Sequence, residues 1–192
     1  MYSEIDHNIS KHVSFTSEEL KIFHALLEEK SVSKKEFLLK EGDFCDFEGF
    51  VLKGCLRKYY INENGMEVIV QFAIEDSWIS DIASFSEHKP SHFFIEALEE
   101  CKLLILNPSK KEELLSKIPK FERVFRILVQ RNLSVTQDRL VNTIAKTAPE
   151  KYLEFLEHYP SIPQRVAQHY IASYLGISAE FLSKVRTRLS KS

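Results

Sequence analysis

Apolar and polar positions fall into three successive textures along this 192-residue chain. The first is helical. Thr16-Ser-Glu-Glu19 has the form of a capping box, and Leu20, Phe23, Ala25, Leu26 and Leu27 follow it, which predicts a short amphipathic helix over 16–29. From Glu36 to Leu106 the apolar residues come instead in short runs broken by turns. Phe37-Leu-Leu39 precedes Glu41-Gly-Asp43, and Gly49-Phe-Val-Leu52 precedes Gly54. Leu56, Tyr59 and Ile61 lead into Asn62-Glu-Asn-Gly65, a hairpin signal, after which Met66, Val68, Val70 and Phe72 alternate with polar neighbours. The runs Phe93–Leu98 and Leu103–Leu106 supply closing strands. Many short strands at close spacing predict a sandwich or barrel-like roll.

The third texture is helical again. Ser109-Lys-Lys-Glu112 offers a second capping box, with Leu114, Leu115 and Ile118 on one side. After Pro119 comes the longest helical pattern, Phe121 to about Lys146. Its apolar residues, among them Val124, Phe125, Leu128, Val129, Leu133, Leu140, Val141 and Ile144, spread over more than one face. A helix that docks on its own roll and also pairs with its copy would need that breadth; a core helix of a monomer is the alternative. A helix over 150–158 follows, and Pro160 and Pro163 lead into the last segment.

That last segment, Gln168 to Thr187, reads as two short helices joined by a tight turn. Ile171, Ala172 and Leu175 form the inner face of the first helix, and Gly176 ends it, since the closing residue often needs positive φ. Ser178 is a natural N-cap for the second helix, with Glu180 near its positive end. Leu182, Val185 and Leu189 make a narrow apolar stripe. At about 100° per residue the stripe leaves Glu180, Ser183, Lys184, Thr187 and Arg188 on the opposite face, where they can meet base edges and phosphates. The spacing therefore predicts a helix-turn-helix that places one helix in the DNA major groove. An ordinary helical hairpin with a polar exterior is the competing reading.

Charge sharpens that reading. The formal net charge is −2, yet residues 1–100 hold 10 Lys and Arg against 20 Asp and Glu. Residues 161–192 hold 5 basic groups against Glu180 alone. An acidic front and a basic tail suit a chain whose C-terminal end faces phosphates. Cys45, Cys55 and Cys101 are odd in number and widely spaced, which fits neither a disulfide framework nor a zinc or iron–sulfur site; no metal or cofactor is expected. Residues 1–12 are polar and no run approaches the ~20 apolar residues of a membrane span, so the expectation is a cytoplasmic protein that does not engage a membrane.

A roll of this length, a long helix and a C-terminal helix-turn-helix, over about residues 16–190, together resemble the Crp/Fnr family of bacterial transcription regulators. The resemblance implies an α+β fold in three parts. These are a sensor β-roll of the cyclic-nucleotide-binding type (a double-stranded β-helix or jelly roll) over 1–118, a dimerisation helix over 119–146, and a DNA-binding helix-turn-helix over 147–192. It also implies a homodimer on a near-palindromic double-stranded operator, with RNA polymerase as a further partner. By position, Glu180 and Lys184 match the family's base-reading glutamate and arginine, and Ser178 a phosphate-contacting serine. Ala179 stands where many members have a guanine-reading arginine, so the operator should differ from the best-known consensus. Only Ser190, Lys191 and Ser192 follow Leu189, so a full β-hairpin wing is not expected, and the phosphate grip falls to Arg165, Gln168 and the recognition helix.

Another departure concerns the roll. Family members that bind cyclic AMP carry Gly-Glu and, about ten residues later, Arg-Ser. Here the matching positions are Ser80-Asp81 and Ser91-His92. A serine cannot supply the charged fork with which arginine holds a phosphate. Ser80, Asp81, Lys89, Ser91 and His92 therefore outline an effector pocket that is vestigial or takes another ligand, with Lys89 the cation nearest in sequence. His88 and His92 are set i,i+4, but Pro90 between them argues against the helix a metal site would need. A cupin-like enzyme would have only His88, His92 and Glu96 to work with, too few to build a metal centre. The expected function is a sequence-specific transcription regulator, not an enzyme, that does not respond to cyclic AMP; the alternative is a cyclic-nucleotide or other small-ligand sensor with an altered pocket.

Overall fold

The computed structural model describes residues 2–189, and the three positions after Leu189, where a wing would begin, lie outside the described residues. The fold is α+β and contains two compact units, one formed by the chain up to Lys58 with Phe72–Arg131, the other by Tyr59–Gln71 with the chain from Asn132 onward.

Along the chain, α1 (Ser3–Ser10) and α2 (Ser17–Leu26) precede the strands β1 (Glu28–Val32), β2 (Phe37–Leu39), β3 (Glu48–Lys53), β4 (Leu56–Ile61), β5 (Glu67–Ala73) and β6 (Trp78–Ile79). The short helix α3 (Ile82–Glu87), strands β7 (Phe94–Ala97) and β8 (Cys101–Leu106), and helix α4 (Pro108–Lys117) follow. The strands make two four-stranded sheets, ordered β1-β8-β3-β6 and β2-β7-β4-β5. One core cluster, including Val32, Leu39, Phe47, Val51, Ile95 and Leu103, fills the roll. A second gathers Ile5, Ile9, Phe23, Phe50, Leu104, Leu114 and Phe121, where helices cover the roll. Gly54 turns β3 into β4 at φ 105; a Cβ there would lie 2.5 Å from Cys101 Sγ and 2.8 Å from its Cα, so no side chain fits.

Local signals and tertiary demands diverge at several places. The Thr16 capping box forms, with Glu19 N–H donating to Thr16 Oγ1 and Thr16 N–H to Glu19 Oε2. The helix stops at Leu26, however, because Glu28–Val32 pair antiparallel with β8 from Glu28↔Ile105 to Val32↔Cys101. Helix α1 has no expectation behind it: its only apolar side chains are Ile5 and Ile9, one turn apart and both buried. The cap of α4 is Asn107, whose side chain accepts from Lys110 N–H, with Pro108 at the first helical position; Ser109 lies inside the helix.

The second unit holds the outer end of the β4–β5 hairpin, the end of α5 (Phe121–Ala145), and α6 (Ala148–His158), α7 (Ile162–Arg165), α8 (Gln168–Leu175) and α9 (Ala179–Leu189). The hairpin turn forms as the Asn62–Gly65 signal predicts, with Gly65 at φ 73 and Asn62 Oδ1 accepting from both Asn64 N–H and Met66 N–H. β5 is an edge strand, and an edge presents backbone groups that need partners. Ser173 of α8 supplies one pair: its Oγ accepts from Ile69 N–H at 3.1 Å and donates to Glu67 C=O at 2.6 Å. Arg139 of α5 supplies another, donating to the carbonyls of Val70 at 2.6 Å and Ile69 at 2.7 Å, and to that of Tyr174 at 2.8 Å.

Candidate nucleic-acid interface and roll pocket

The helix pair at the C-terminus has the build its sequence requires. Ile171, Ala172 and Leu175 of α8 are buried, as are Leu182 and Val185 of α9, and both helices pack on α6. Gly176 takes the left-handed conformation at φ 69, and Ile177 N–H returns to Ala172 C=O at 3.0 Å, which closes α8 in a Schellman-like turn. Ser178 Oγ then accepts from Phe181 N–H at 3.2 Å and caps α9.

This construction turns Glu180, Ser183, Lys184, Thr187 and Arg188 outward, all exposed, together with Ser178; Ala179 is half-buried. Gln168, at the start of α8, is exposed, and Arg165 of α7 is half-buried. The Glu180 carboxyl is held below the usual carboxylate range by its own backbone N–H, by the Ser178 side chain and by the Lys184 charge. It is therefore an ionised acceptor at neutral pH. Among the described residues Glu180 and Lys184 form no ion pair, although they stand one turn apart. Thr187 is less available, because its Oγ1 donates to Ser183 C=O at 3.0 Å. Sequence reasoning passed over Phe181, which is 48% exposed beside Glu180; a large aromatic outside the apolar stripe was its signal.

In the roll, Ser80, Asp81 and Ser91 come together and are buried. Asp81 caps α3: its Oδ1 accepts from Ala83 N–H at 3.2 Å and Ser84 N–H at 3.4 Å, and its Oδ2 accepts from Ser91 Oγ at 2.7 Å. Ser80 Oγ donates to Phe47 C=O at 2.9 Å. Lys89 and His92 stand apart from this cluster. Lys89 pairs with Glu87 at 2.6 Å on the exposed surface, and His92 is exposed. His88 closes α3 in the left-handed region and meets the Phe44 ring at a tilt of 37°, with ring centroids 4.9 Å apart.

The cation that does reach the cluster is Lys58 of β4, which sequence reasoning did not single out. Its Nζ donates to Ser80 C=O at 3.1 Å and lies 5.4 Å from the Phe93 ring centroid. Burial pushes the Lys58 ammonium down, against the pull of Asp81 and Cys45. Nothing in the Leu56–Ile61 run marks Lys58, because only the folded roll brings β4 of one sheet beside residues 80–81, which follow β6 of the other. Glu96, one of the three groups a cupin-like centre would need, is instead bound by Arg57, Nη2 to Oε2 at 2.6 Å and Nε to Oε2 at 2.8 Å, with both side chains buried.

A small two-sheeted roll followed by a C-terminal helix-turn-helix defines the class of fold, and comparison with known proteins agrees. Residues 29–117 match the cyclic nucleotide-binding domain family. The transcriptional activator protein Anr of Pseudomonas protegens is 23% identical over 173 residues, covering 84% of this chain and 70% of that protein. The fumarate and nitrate reduction regulatory protein of Escherichia coli is 25% identical over 177 residues, covering 85% and 69%. In fold the chain is similar to FixK2 from Bradyrhizobium japonicum, with a TM-score of 0.74 at 19% identity over 86% of this chain and 85% of that one. In sequence and in fold the chain is similar to transcription regulators of the Crp/Fnr type. No helix among the described residues is long and apolar enough to cross a membrane.

Proposed function

We propose that the chain is a homodimeric, sequence-specific DNA-binding regulator that does not use cyclic AMP as its effector. The observation that carries the DNA reading is the outer face of α9, where Glu180, Ser183 and Lys184 are exposed while Leu182 and Val185 of the same helix are buried. An ionised glutamate accepts from cytosine N4, a lysine donates to guanine O6 and N7, and the Phe181 ring suits a thymine methyl. Gln168, Ser178, Thr187, Arg188 and Arg165 then serve the phosphates. Pairing through α5 is supported by Leu133, Leu140 and Ile144, which recur at seven and four residues and are 56%, 61% and 80% exposed.

The reading of the roll rests on Asp81. A nucleotide phosphate would need donors that Asp81 already uses, and it would meet a carboxylate of its own sign. Selection of bound duplexes from a random pool tests the DNA reading: a recovered near-palindrome supports it, and no enrichment refutes it. Calorimetry with cyclic nucleotides tests the other half, because a sensor with an altered pocket releases or absorbs heat and the proposed regulator does not.

A further inference from the structure

The second unit contains a cavity of about 150 Å³ between the C-terminal half of α5, α6 and α8, which the DNA reading does not use. Cavities of roughly this volume hold one benzene ring. One wall is aromatic: Phe155 lies 5.4 Å from Tyr159 and 5.5 Å from Tyr174, and Tyr159 meets Tyr174 edge to face at 5.9 Å. Such a wall accepts another ring in offset or edge-on contact.

The cavity is lined by two cations, Arg139 and Lys151, and by two carboxylates, Asp138 and Glu154. Arg139 is partly buried, and its bonds go to three neutral carbonyls, while its guanidinium lies 4.1 Å from the Tyr174 ring centroid. Lys151 donates to Thr143 C=O at 2.9 Å. Glu154, the acid on the α6 side, is already taken by Asn142 Nδ2 and by Lys146 at 2.8 Å. Asp138 is exposed, where water screens it. Among the described residues, then, these two cations lack a carboxylate, and three of five guanidinium donors and one of three ammonium donors are in use. Burial pushes the Arg139 guanidinium down from its ordinary value, against the pull of Tyr174, Tyr159 and Tyr60.

We propose that this cavity binds a small aromatic carboxylate, its ring against Tyr159 and Tyr174 and its charge toward Lys151 and Arg139. Such a ligand would tie α5 to α6 and α8. Its effect on DNA affinity rests on the proposed DNA reading, but its binding does not.

The test is titration of the full chain, without DNA, with benzoate, the neutral isostere benzamide, and acetate. One benzoate per chain should bind at least tenfold more tightly than either control. Lys151→Met should weaken benzoate at least fivefold, and Asp138→Asn, which removes a repelling charge at the rim, should tighten it two- to threefold. Both positions are on the surface of their helices, so folding can be checked by circular dichroism before titration. Absence of benzoate binding at 10 mM, equal binding of benzamide, or an unchanged affinity in Lys151→Met would each overturn the proposal. Because no DNA is present, any of these outcomes leaves the reading of α9 untouched.

Discussion

Ser91 Oγ donates to Asp81 Oδ2 at 2.7 Å, so the side chain in the phosphate-binding position of the roll hydrogen-bonds an internal carboxylate. A cyclic phosphate entering there would lose water, meet the Asp81 carboxylate and find as its charged donor only Lys58, which already donates to the Ser80 carbonyl, at a cost of several kcal/mol. Thermal melts with millimolar cyclic AMP should show no shift, and a rise of several degrees would refute this. Asp81→Ala should cost about 1–2 kcal/mol, since it removes the cap of α3 and the partner of a buried hydroxyl.

The hydrogen bond between Ser173 and Ile69 leads to a second prediction. Ser173→Ala leaves the Ile69 N–H of an edge strand without its acceptor, an unsatisfied group that costs about 1–3 kcal/mol if water cannot reach it. Hydrogen exchange at the Ile69 amide should accelerate at least tenfold in Ser173→Ala and recover in Ser173→Thr. Unchanged protection in the alanine variant would show that the Ser173 hydroxyl is not what shields this amide.

Much of this architecture was legible from residue order because its causes are local. Gly176, Ser178 and the Leu182, Val185 stripe act within a few residues of one another, so α8, the turn and α9 follow from sequence spacing. The Asn62–Gly65 hairpin is legible for the same reason. β1 was not, because Glu28-Glu-Lys-Ser-Val32 carries no strand alternation and becomes a strand only through its pairing with β8. Lys58 was hidden likewise: its partners are the Ser80 carbonyl, 22 residues on, and the Phe93 ring. Sequence proximity instead pointed to Lys89, whose charge Glu87 holds at the surface.

Acid stability should depend in part on Asp76. Burial alone would raise its carboxyl, but Lys11 at 2.8 Å and Asn8 at 2.7 Å outweigh burial and hold it below its ordinary value. A depressed carboxylate contributes stability above its unfolded pKa, near 4, and loses it as pH falls through the lower native value. The side chain is 48% exposed, so the contribution is about 0.5 kcal/mol. Asp76→Asn should therefore be slightly less stable at pH 7 and match the parent once both are below that window. Urea unfolding followed by Trp78, whose Nε1–H donates to Asn8 Oδ1, reads this directly. A difference that persists undiminished to pH 2 would assign the effect to shape and not to charge.

Sedimentation at micromolar concentration should give the mass of a dimer. Leu133→Asp or Leu140→Asp places a charge on the exposed apolar row of α5 and should yield monomers that keep their helix content. DNA affinity should fall at least a hundredfold in the same variants, because a monomer holds one half-site only. A monomeric parent chain would exclude pairing through this helix.

Lys184 and Glu180 face the same side of α9 one turn apart, and two roles compete for them. As an i,i+4 pair they would contribute about 0.3–0.5 kcal/mol and matter little. As readers of DNA, each should supply about 1–3 kcal/mol of discrimination at one base pair. The absence of an ion pair between them among the described residues, with Glu180 ionised at the capped start of the helix, favours reading. Lys184→Ala should relax preference at one position in each half-site while leaving the others intact. Arg188→Ala should weaken all sequences alike and reduce the slope of log affinity against log salt by about one for each phosphate no longer neutralised. If Lys184→Ala and Glu180→Ala both recover the same preferred sequence as the parent from a random pool, α9 is not the reading helix and the specificity must come from another element.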